Sequence, residues 1–245
     1  MIPIVSITNS INAIISGLLA VRLLISYRKH PTNVLRYFLN FYFLFFLYWF
    51  LLALPGLLWS NSYTGAWIVT SSYAVLYVAL IVAVRIPFIL LGKQWVGNSI
   101  AAGMGIAGLF VVGAQLFHPY PYIQEIAPPF IYWRGIVPAW MRIITGIISI
   151  IGAVGFAATF AYLGVKSRNN HIIFYRSVSL ALGMIMMALA SASVFFVAIT
   201  SPFIGLSVAS VLVITGLSIM AHGLLHEHRG VMSQVQDSKA DTPTV

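Results

Sequence analysis

Three histidines lie close together near the end of the sequence, and their spacing is the pattern that most suggests chemistry. In AHGLLHEHRG, residues 221–230, His222 and His226 stand four residues apart and His228 follows. Histidines at this spacing share one face of a helix and can bind one metal ion, but a zinc site needs three or four protein ligands. A bis-histidine haem needs a second histidine at similar depth on another helix, and no other predicted helix contains one.

The surroundings of these histidines favour a simpler interpretation. Glu227 is the only acid nearby, and it lies on a different helix face from His222 and His226. Histidine, glutamate and arginine also mark the point at which an apolar helix leaves a membrane, because the C-terminus of a helix favours cations. We therefore expect an interfacial helix end, with no metal and no cofactor. A metal ion held by His222 and His226 is the alternative.

The composition indicates which elements must carry these residues. Apolar residues make up 60% of the chain and charged residues 7%, whereas an ordinary globular domain has roughly 25% charged residues. Runs of about 20 apolar residues are long enough to cross a membrane as helices. Seven such runs are predicted, at residues 3–26, 35–59, 64–91, 96–116, 137–165, 172–199 and 203–225. The predicted fold is an all-α integral membrane protein, a seven-helix bundle over residues 1–230 with a disordered tail at 231–245.

The basic residues predict the orientation of this bundle. Eleven of the thirteen flank the first, third and fifth connections or follow the last run. They are Arg22, Arg28, Lys29, Arg36, Arg85, Lys93, Lys166, Arg168, Arg176, Arg229 and Lys239. Since connections rich in Lys and Arg stay in the cytoplasm, the N-terminus is expected outside and the C-terminus inside, in a multi-pass protein of the cell membrane. No basic stretch precedes the first run, so we expect no removable signal peptide.

The long fourth connection holds the candidate binding residues. It reads FHPYPYIQEIAPPFIYWR over residues 117–134, and long connections in compact proteins are often functional. Its aromatic and charged residues, with an arginine from the next helix, could cap an outward pocket for a small polar or amphiphilic ligand. These candidates are Tyr120, Tyr122, Glu125, Trp133, Arg134 and Arg142. The alternative is an interfacial loop in which Glu125 pairs with Arg134 or Arg142.

Several function classes are disfavoured by what the predicted helices lack. No Asp or Glu falls inside any of them, so proton or cation coupling is not expected, and the last helix has no lysine for an opsin Schiff base. There is no cysteine, and every histidine lies near a membrane edge, so we expect no enzyme. The net charge of +9 comes from basic residues that flank the membrane helices and set their orientation. We therefore expect no nucleic-acid partner.

Small and polar residues inside the helices are expected to join helices together. Gly103, Gly105 and Gly108 can let neighbouring helices approach closely. The same is expected of Gly152 and Gly155 in the fifth run and of Gly183, Ser191 and Ser193 in the sixth. Asn9, Asn12 and Asn40 are expected to form hydrogen bonds between helices. The second run has ten aromatics among the fourteen residues 37–50, so some must face lipid and others the bundle.

The layout over residues 3–225 resembles the seven-helix N-terminal sensor region of some bacterial histidine kinases. The resemblance rests on the predicted topology, on LLISYRKHPTNVLRYFLNFYFLFFLYWFLL joining the first two helices, and on the long outer segment before the fifth. Fifteen residues follow Gly230, too few for a kinase domain. The resemblance therefore implies a sensor that signals through a separate partner.

Three functions follow as expectations. The first is a sensor or receptor-like module that binds a small ligand, or senses the bilayer, on its outer half and signals to a cytoplasmic protein. The second is a small facilitative transporter or channel for a neutral or anionic solute, which needs a continuous polar path past Asn40, Thr159 and the serines of the last two helices. The third is an accessory subunit that packs against another membrane protein.

Overall fold

The computed structural model describes residues 2–58 and 62–225. Within these ranges, seven helices are long and apolar enough to cross a membrane, which confirms the predicted number and indicates a multi-pass integral membrane protein. The helices are α1 (Ile4–Lys29), α2 (Asn33–Leu57), α3 (Ser62–Leu90), α4 (Gln94–Phe117), α5 (Ala139–Lys166), α6 (His171–Ala192) and α7 (Pro202–Leu225).

Helix caps and prolines account for several of these boundaries. Thr32 accepts a hydrogen bond from the backbone N–H of Leu35 at the start of α2, and Asn170 accepts one from Ile173 at the start of α6. At its far end α6 passes into a π-helical turn, Ser193–Val197, and a short helical turn, Ala198–Thr200, before Pro202 begins α7.

The connection between α4 and α5 is a small β-sheet, which the sequence pattern was not expected to form. Strands β2 (Tyr122–Ala127) and β3 (Phe130–Gly135) make an antiparallel hairpin. Strand β1 (Ile2–Pro3) pairs with β3 in parallel, so the beginning of α1 is tied to the hairpin. We call this end of the bundle the hairpin end, and the opposite end, where the first, third and fifth connections lie, the basic end.

The buried core next to the basic end contains a group of packed aromatic residues. On α2, the rings of Phe38, Phe41, Tyr42 and Phe45 are buried, whereas Phe43 is half exposed on the outer surface. The predicted division of the α2 aromatics between the bundle and its surroundings is therefore confirmed. Aromatic and methionine side chains from α5, α6 and α7 complete the cluster, including Phe156, Phe160, Met184 and Met220.

The helices α6 and α7 approach each other closely where two glycines face each other. A Cβ atom added to Gly183 would lie 2.7 Å from the carbonyl oxygen of Gly216, and one added to Gly216 would lie 2.8 Å from that of Gly183. The prediction that Gly183 joins helices is therefore confirmed, and so is that for Gly108, which packs against Tyr77. Gly103 and Gly155 do not join helices, because nothing in the described part of the chain lies within 4 Å of an added Cβ atom.

The buried face of α1 changes character along its length. Near the hairpin end it carries polar side chains, and towards the basic end it becomes apolar. In chain order the buried residues are Ser6, Asn9, Asn12, Ala13, Ser16, Leu19, Ala20 and Leu23.

Three asparagines were predicted to form hydrogen bonds between helices, and the prediction is confirmed for one of them. The amide nitrogen of Asn9 donates to the carbonyl oxygen of Leu52 on α2, at 3.3 Å. Asn12 is fully buried, yet neither atom of its amide group has a partner within the described residues. Asn40 lies exposed on the outer surface of α2, because the buried face of that helix is taken by aromatic rings.

Candidate functional site

A partly open cavity of about 150 Å³ lies at the hairpin end. Its wall is formed by β3, by the helices α1, α2, α3, α5 and α7, and by the π turn that follows α6. The helix α4 does not contribute. Most of its wall is apolar or aromatic, and polar groups are few. The polar and aromatic members of the wall are Asn9, Tyr48, Trp49, Tyr73, Trp133, Arg134, Arg142, Phe195 and Ser210.

Arg142 is held at the cavity by the backbone just before α5. Its Nε donates to the carbonyl oxygen of Val137 and its Nη2 to that of Gly135, both at 3.1 Å. These bonds orient the guanidinium group, but carbonyl dipoles do not neutralise its charge. No carboxylate within the described residues lies at salt-bridge distance from Arg142. One wall of the cavity therefore carries a positive charge that is not compensated.

Arg134, the second arginine of the wall, is paired. Its Nε and Nη2 lie 2.5 Å from Oε1 of Glu125, and the hydroxyl group of Tyr132 donates to Oε2 of the same carboxylate. Burial raises the pKa of Glu125, but the hydrogen bonds from Tyr132 and Arg134 and the charge of Arg134 outweigh it, so the pKa lies below its ordinary value. Burial and the neighbouring carboxylate raise the pKa of Tyr132 to about 12.

The strand register explains this arrangement. Glu125 lies directly opposite Tyr132 in the hairpin, and Arg134 is paired with Ile123, diagonally across from Glu125. Cross-strand and diagonal neighbours on one face are within reach of long side chains. The sequence left Glu125 with two candidate partners, and the hairpin brings it to Arg134.

Trp49 contributes a donor that has no acceptor. Its indole Nε1 is buried and has no hydrogen-bond partner within the described residues. Trp49 lines the first cavity and also a second one of about 50 Å³, which shares Tyr48, Phe195 and two valines with the first. Ser149 lines the second cavity, and its hydroxyl group is likewise buried without a partner in the described part. The second cavity therefore lies next to the first, between Trp49 and α5.

The π turn at the end of α6 shapes the wall opposite β3. Val194 and Phe195 of this turn line both cavities, and Phe195 is buried. A Cβ atom added to Gly146 of α5 would lie 2.8 Å from Cβ of Phe195, so the turn presses closely on α5. Single π-helical turns occur often at functional sites because the extra residue redirects nearby side chains.

The structure brings half of the predicted site residues to the cavity. Trp133, Arg134 and Arg142 line it. Glu125 does not, but it holds Arg134 in place. Tyr120 packs away from the cavity, against the apolar cluster that includes Met141.

The other predicted positions are described only in part. Tyr122 begins β2, and its side chain lies outside the described residues. His222 packs edge-on against the ring of Tyr175, with centroids 5.8 Å apart. His226, His228, Glu227 and the predicted disordered tail lie outside the described residues. In the part of the chain that is described, no three His, Asp or Glu side chains are grouped so that they could hold a metal ion.

Sequence reasoning missed the helix residues of the site, above all Trp49, Phe195 and Ser210. Asn9 was noted only as a residue that joins helices. All four lie on apolar helices whose inward faces the sequence pattern does not identify. No known protein-family model matches the chain, and no curated protein is significantly similar to it.

Proposed function

We propose that this protein is a membrane sensor or receptor-like module that binds a small ligand in the cavity at the hairpin end. The observation that carries the proposal is the cavity itself, which joins β3 to every long helix except α4 around an uncompensated arginine. Concave, mostly apolar sites with a few oriented polar groups are typical of small-molecule binding. The cavity also favours a bound ligand over sensing of the bilayer alone.

The proposed setting is a cell membrane, with the hairpin end outside and the basic end in the cytoplasm. Large apolar side chains are exposed along the outer surface of the bundle, as expected for contact with lipid; Leu109 on α4 is 77% exposed. The basic residues cluster around the first, third and fifth connections, the positions retained in the cytoplasm. The cavity then faces the outside.

The distribution of polar groups supports binding over transport. A transporter needs a polar path from one end to the other, and Asn40 and Thr159 were its expected members. Asn40 is exposed on the outer surface, and Thr159 returns its hydroxyl group to the carbonyl oxygen of Gly155. Below the cavity, the aromatic core around Phe38 and Phe156 is tightly packed. The expected polar path past Asn40 and Thr159 is therefore not formed, whereas the cavity lies at the hairpin end.

A ligand in this cavity could alter the bundle because its wall comes from several helices. It would contact α1, α2 and α7 together with the π turn of α6. If it binds two helix arrangements with different affinity, it shifts the population between them. We propose that a separate cytoplasmic protein detects the shift at the basic end, as the resemblance to kinase sensor regions suggests.

Native mass spectrometry of the protein extracted from its own membrane tests ligand binding. We expect a bound small molecule on the wild type. Val5 on α1 lines the cavity, whereas Ile7 on the same helix faces outwards and is 39% exposed. Val5→Phe should remove the molecule by filling the cavity, and Ile7→Phe should retain it. A molecule that survives Val5→Phe, or a wild type that carries none, contradicts the proposal.

The same preparation tests the proposed partner. A soluble signalling protein present in stoichiometric amount supports the sensor. A stoichiometric membrane protein instead would favour an accessory subunit. If the protein is isolated without a partner, solute flux across liposomes that contain it is measured next. Flux above that of empty liposomes would favour a transporter and contradict the sensor.

A further inference from the structure

Arg142 leaves hydrogen-bond donors free at the cavity. The guanidinium group of Arg142 uses Nε and one N–H of Nη2 on backbone carbonyls, and the rest of its donors have no partner within the described residues. Ser210 is already engaged, since its hydroxyl group donates to the carbonyl oxygen of Leu206 and lies 3.1 Å from that of Thr8.

Asn9 contributes a neutral acceptor to the wall. The amide nitrogen of Asn9 donates to Leu52, which leaves its Oδ1 available towards the cavity wall. A ligand that binds the free N–H groups of Arg142 must offer acceptor atoms. A carboxylate does so because it has two oxygens and accepts strong charge-assisted bonds from a guanidinium group.

The charges at the cavity point in the same direction. Arg134 is balanced by Glu125, whereas Arg142 has no carboxylate nearby in the described ranges. A charge in surroundings of low polarity is costly unless an opposite charge accompanies it. The cavity therefore favours a ligand that carries one negative charge.

The remaining wall determines the body of the ligand. Tyr48, Trp49, Tyr73, Trp133 and Phe195 present aromatic surface, and aliphatic side chains from α1 and α7 fill the space between them. A dry cavity of about 150 Å³ in another protein holds a benzene molecule. A compact body close in size to one aromatic ring therefore fits inside this cavity, whose volume is about 150 Å³.

We propose that the ligand is an organic carboxylate whose carboxylate group binds Arg142 and whose aromatic or aliphatic body packs against the apolar wall. This inference rests on the proposed function and specifies its ligand. The same chemistry has two sources. The acid can enter from the aqueous phase, or it can be the head of a free fatty acid that approaches from the bilayer.

Calorimetric titration of the full chain in phosphatidylcholine nanodiscs provides the test. Benzoate is the charged probe, and benzamide is its neutral counterpart of the same shape. We expect benzoate to bind at least about tenfold more tightly than benzamide, since hydrogen bonds to a charged group are the stronger ones. Arg142→Gln should weaken benzoate by about tenfold to hundredfold and leave benzamide nearly unchanged.

Matched variants separate the charge from the fold. Arg168 is exposed in the connection between α5 and α6, so Arg168→Gln removes the same charge far from the cavity and should leave benzoate binding intact. Arg142→Lys keeps the charge and should restore part of the affinity. Retained benzamide binding in Arg142→Gln shows that the cavity is still formed.

Two outcomes would overturn the carboxylate proposal. If benzoate and benzamide bind alike, or if Arg142→Gln weakens both equally, the charge is not recognised, while a neutral ligand remains compatible with the proposed function. If no probe binds, the carboxylate class is wrong, and the native mass spectra decide separately whether the cavity holds any ligand. Competition by oleate in the nanodisc indicates a bilayer source; binding of benzoate and hexanoate without competition by oleate indicates an aqueous one. Both of these results support the proposed class.

Discussion

At the scale of single residues, the group formed by Glu125, Tyr132 and Arg134 links the hairpin to the cavity. The carboxylate of Glu125 accepts from both neighbours and so positions an arginine of the cavity wall. It also accounts for two shifted ionisations in opposite directions, a lowered pKa for Glu125 and a raised pKa for Tyr132. The stability of the hairpin should therefore depend on pH at both ends of the range.

The direction of each dependence follows from the shifts. The pKa of Glu125 is below its ordinary value of 4.5, so its contribution is complete above pH 4.5 and is lost as the pH falls through the lowered pKa. The pKa of Tyr132 is raised from 10.0 to about 12, so its contribution is complete below pH 10 and is lost as the pH rises towards 12. Thermal unfolding midpoints measured across pH should fall at both ends.

Two variants separate these effects. Tyr132→Phe should keep the fall in the unfolding midpoint at low pH. It should remove the part of the fall at high pH that comes from ionisation of Tyr132. Glu125→Gln should flatten the acid-side loss, because glutamine does not ionise. If Glu125→Gln retains the full acid dependence of the wild type, another group is responsible for it.

Asn12 offers a second test at this scale. Both atoms of its amide group are buried and unpartnered in the described part of the chain, which costs about 1–3 kcal/mol. Asn12→Leu should therefore raise the free energy of unfolding by about 1 kcal/mol or more. Asn9→Leu, one turn away, removes a real hydrogen bond to Leu52 and should lower it by about 0.5–1.5 kcal/mol. Chemical unfolding in detergent measures both, and a loss for Asn12→Leu contradicts the prediction.

At the scale of elements, the contact of α6 with α7 depends on the absence of side chains. An added Cβ atom at Gly183 would lie 2.2 Å from Cγ of Met220 and 2.7 Å from the carbonyl oxygen of Gly216. The methionine can move, but the backbone carbonyl can do so only if the helices separate. The two helices also frame the π turn, so a wider spacing would reach the cavity.

Alanine at two glycines should have opposite effects. Gly183→Ala should lower the free energy of unfolding by about 1–3 kcal/mol through overpacking. Gly103 on α4 has nothing within 4 Å of an added Cβ atom, so Gly103→Ala should raise stability by about 0.5–1 kcal/mol. The comparison of the two unfolding curves is the measurement. Equal effects at both positions would show that helix propensity, and not the close contact, governs this pair.

The elements also show what could be foreseen from the sequence. The helices were predictable because a long apolar run can satisfy its backbone in lipid only as a helix. The hairpin was missed, although YIQEIA and FIYWRG are rich in β-branched and aromatic residues on either side of Pro128-Pro129. Arg142 was identified because charges are rare in this chain. Trp49 could not be identified in this way, because its place in the cavity wall depends on which faces of the helices meet.

At the scale of the whole molecule, orientation is the prediction on which the others depend. The natural chain has no cysteine, so single cysteines can be introduced without any background. Gln124 is exposed on β2 at the hairpin end, and Arg168 is exposed at the basic end. In intact cells, an impermeant maleimide should label Gln124→Cys and spare Arg168→Cys, which should react only after the membrane is opened. The reverse pattern would place the cavity in the cytoplasm.

The pairing of Ile2 with Phe130 and of Pro3 with Ile131 has a consequence for how the protein is made. Ile2 and Pro3 leave the ribosome before their partner strand, which follows only after α1 to α4 have been synthesised. The start of α1 must therefore wait, unpaired, on the side where the hairpin later emerges. The cavity wall includes both Val5 and Trp133, so it is completed late in biogenesis, and a truncated chain that ends before β3 cannot form it.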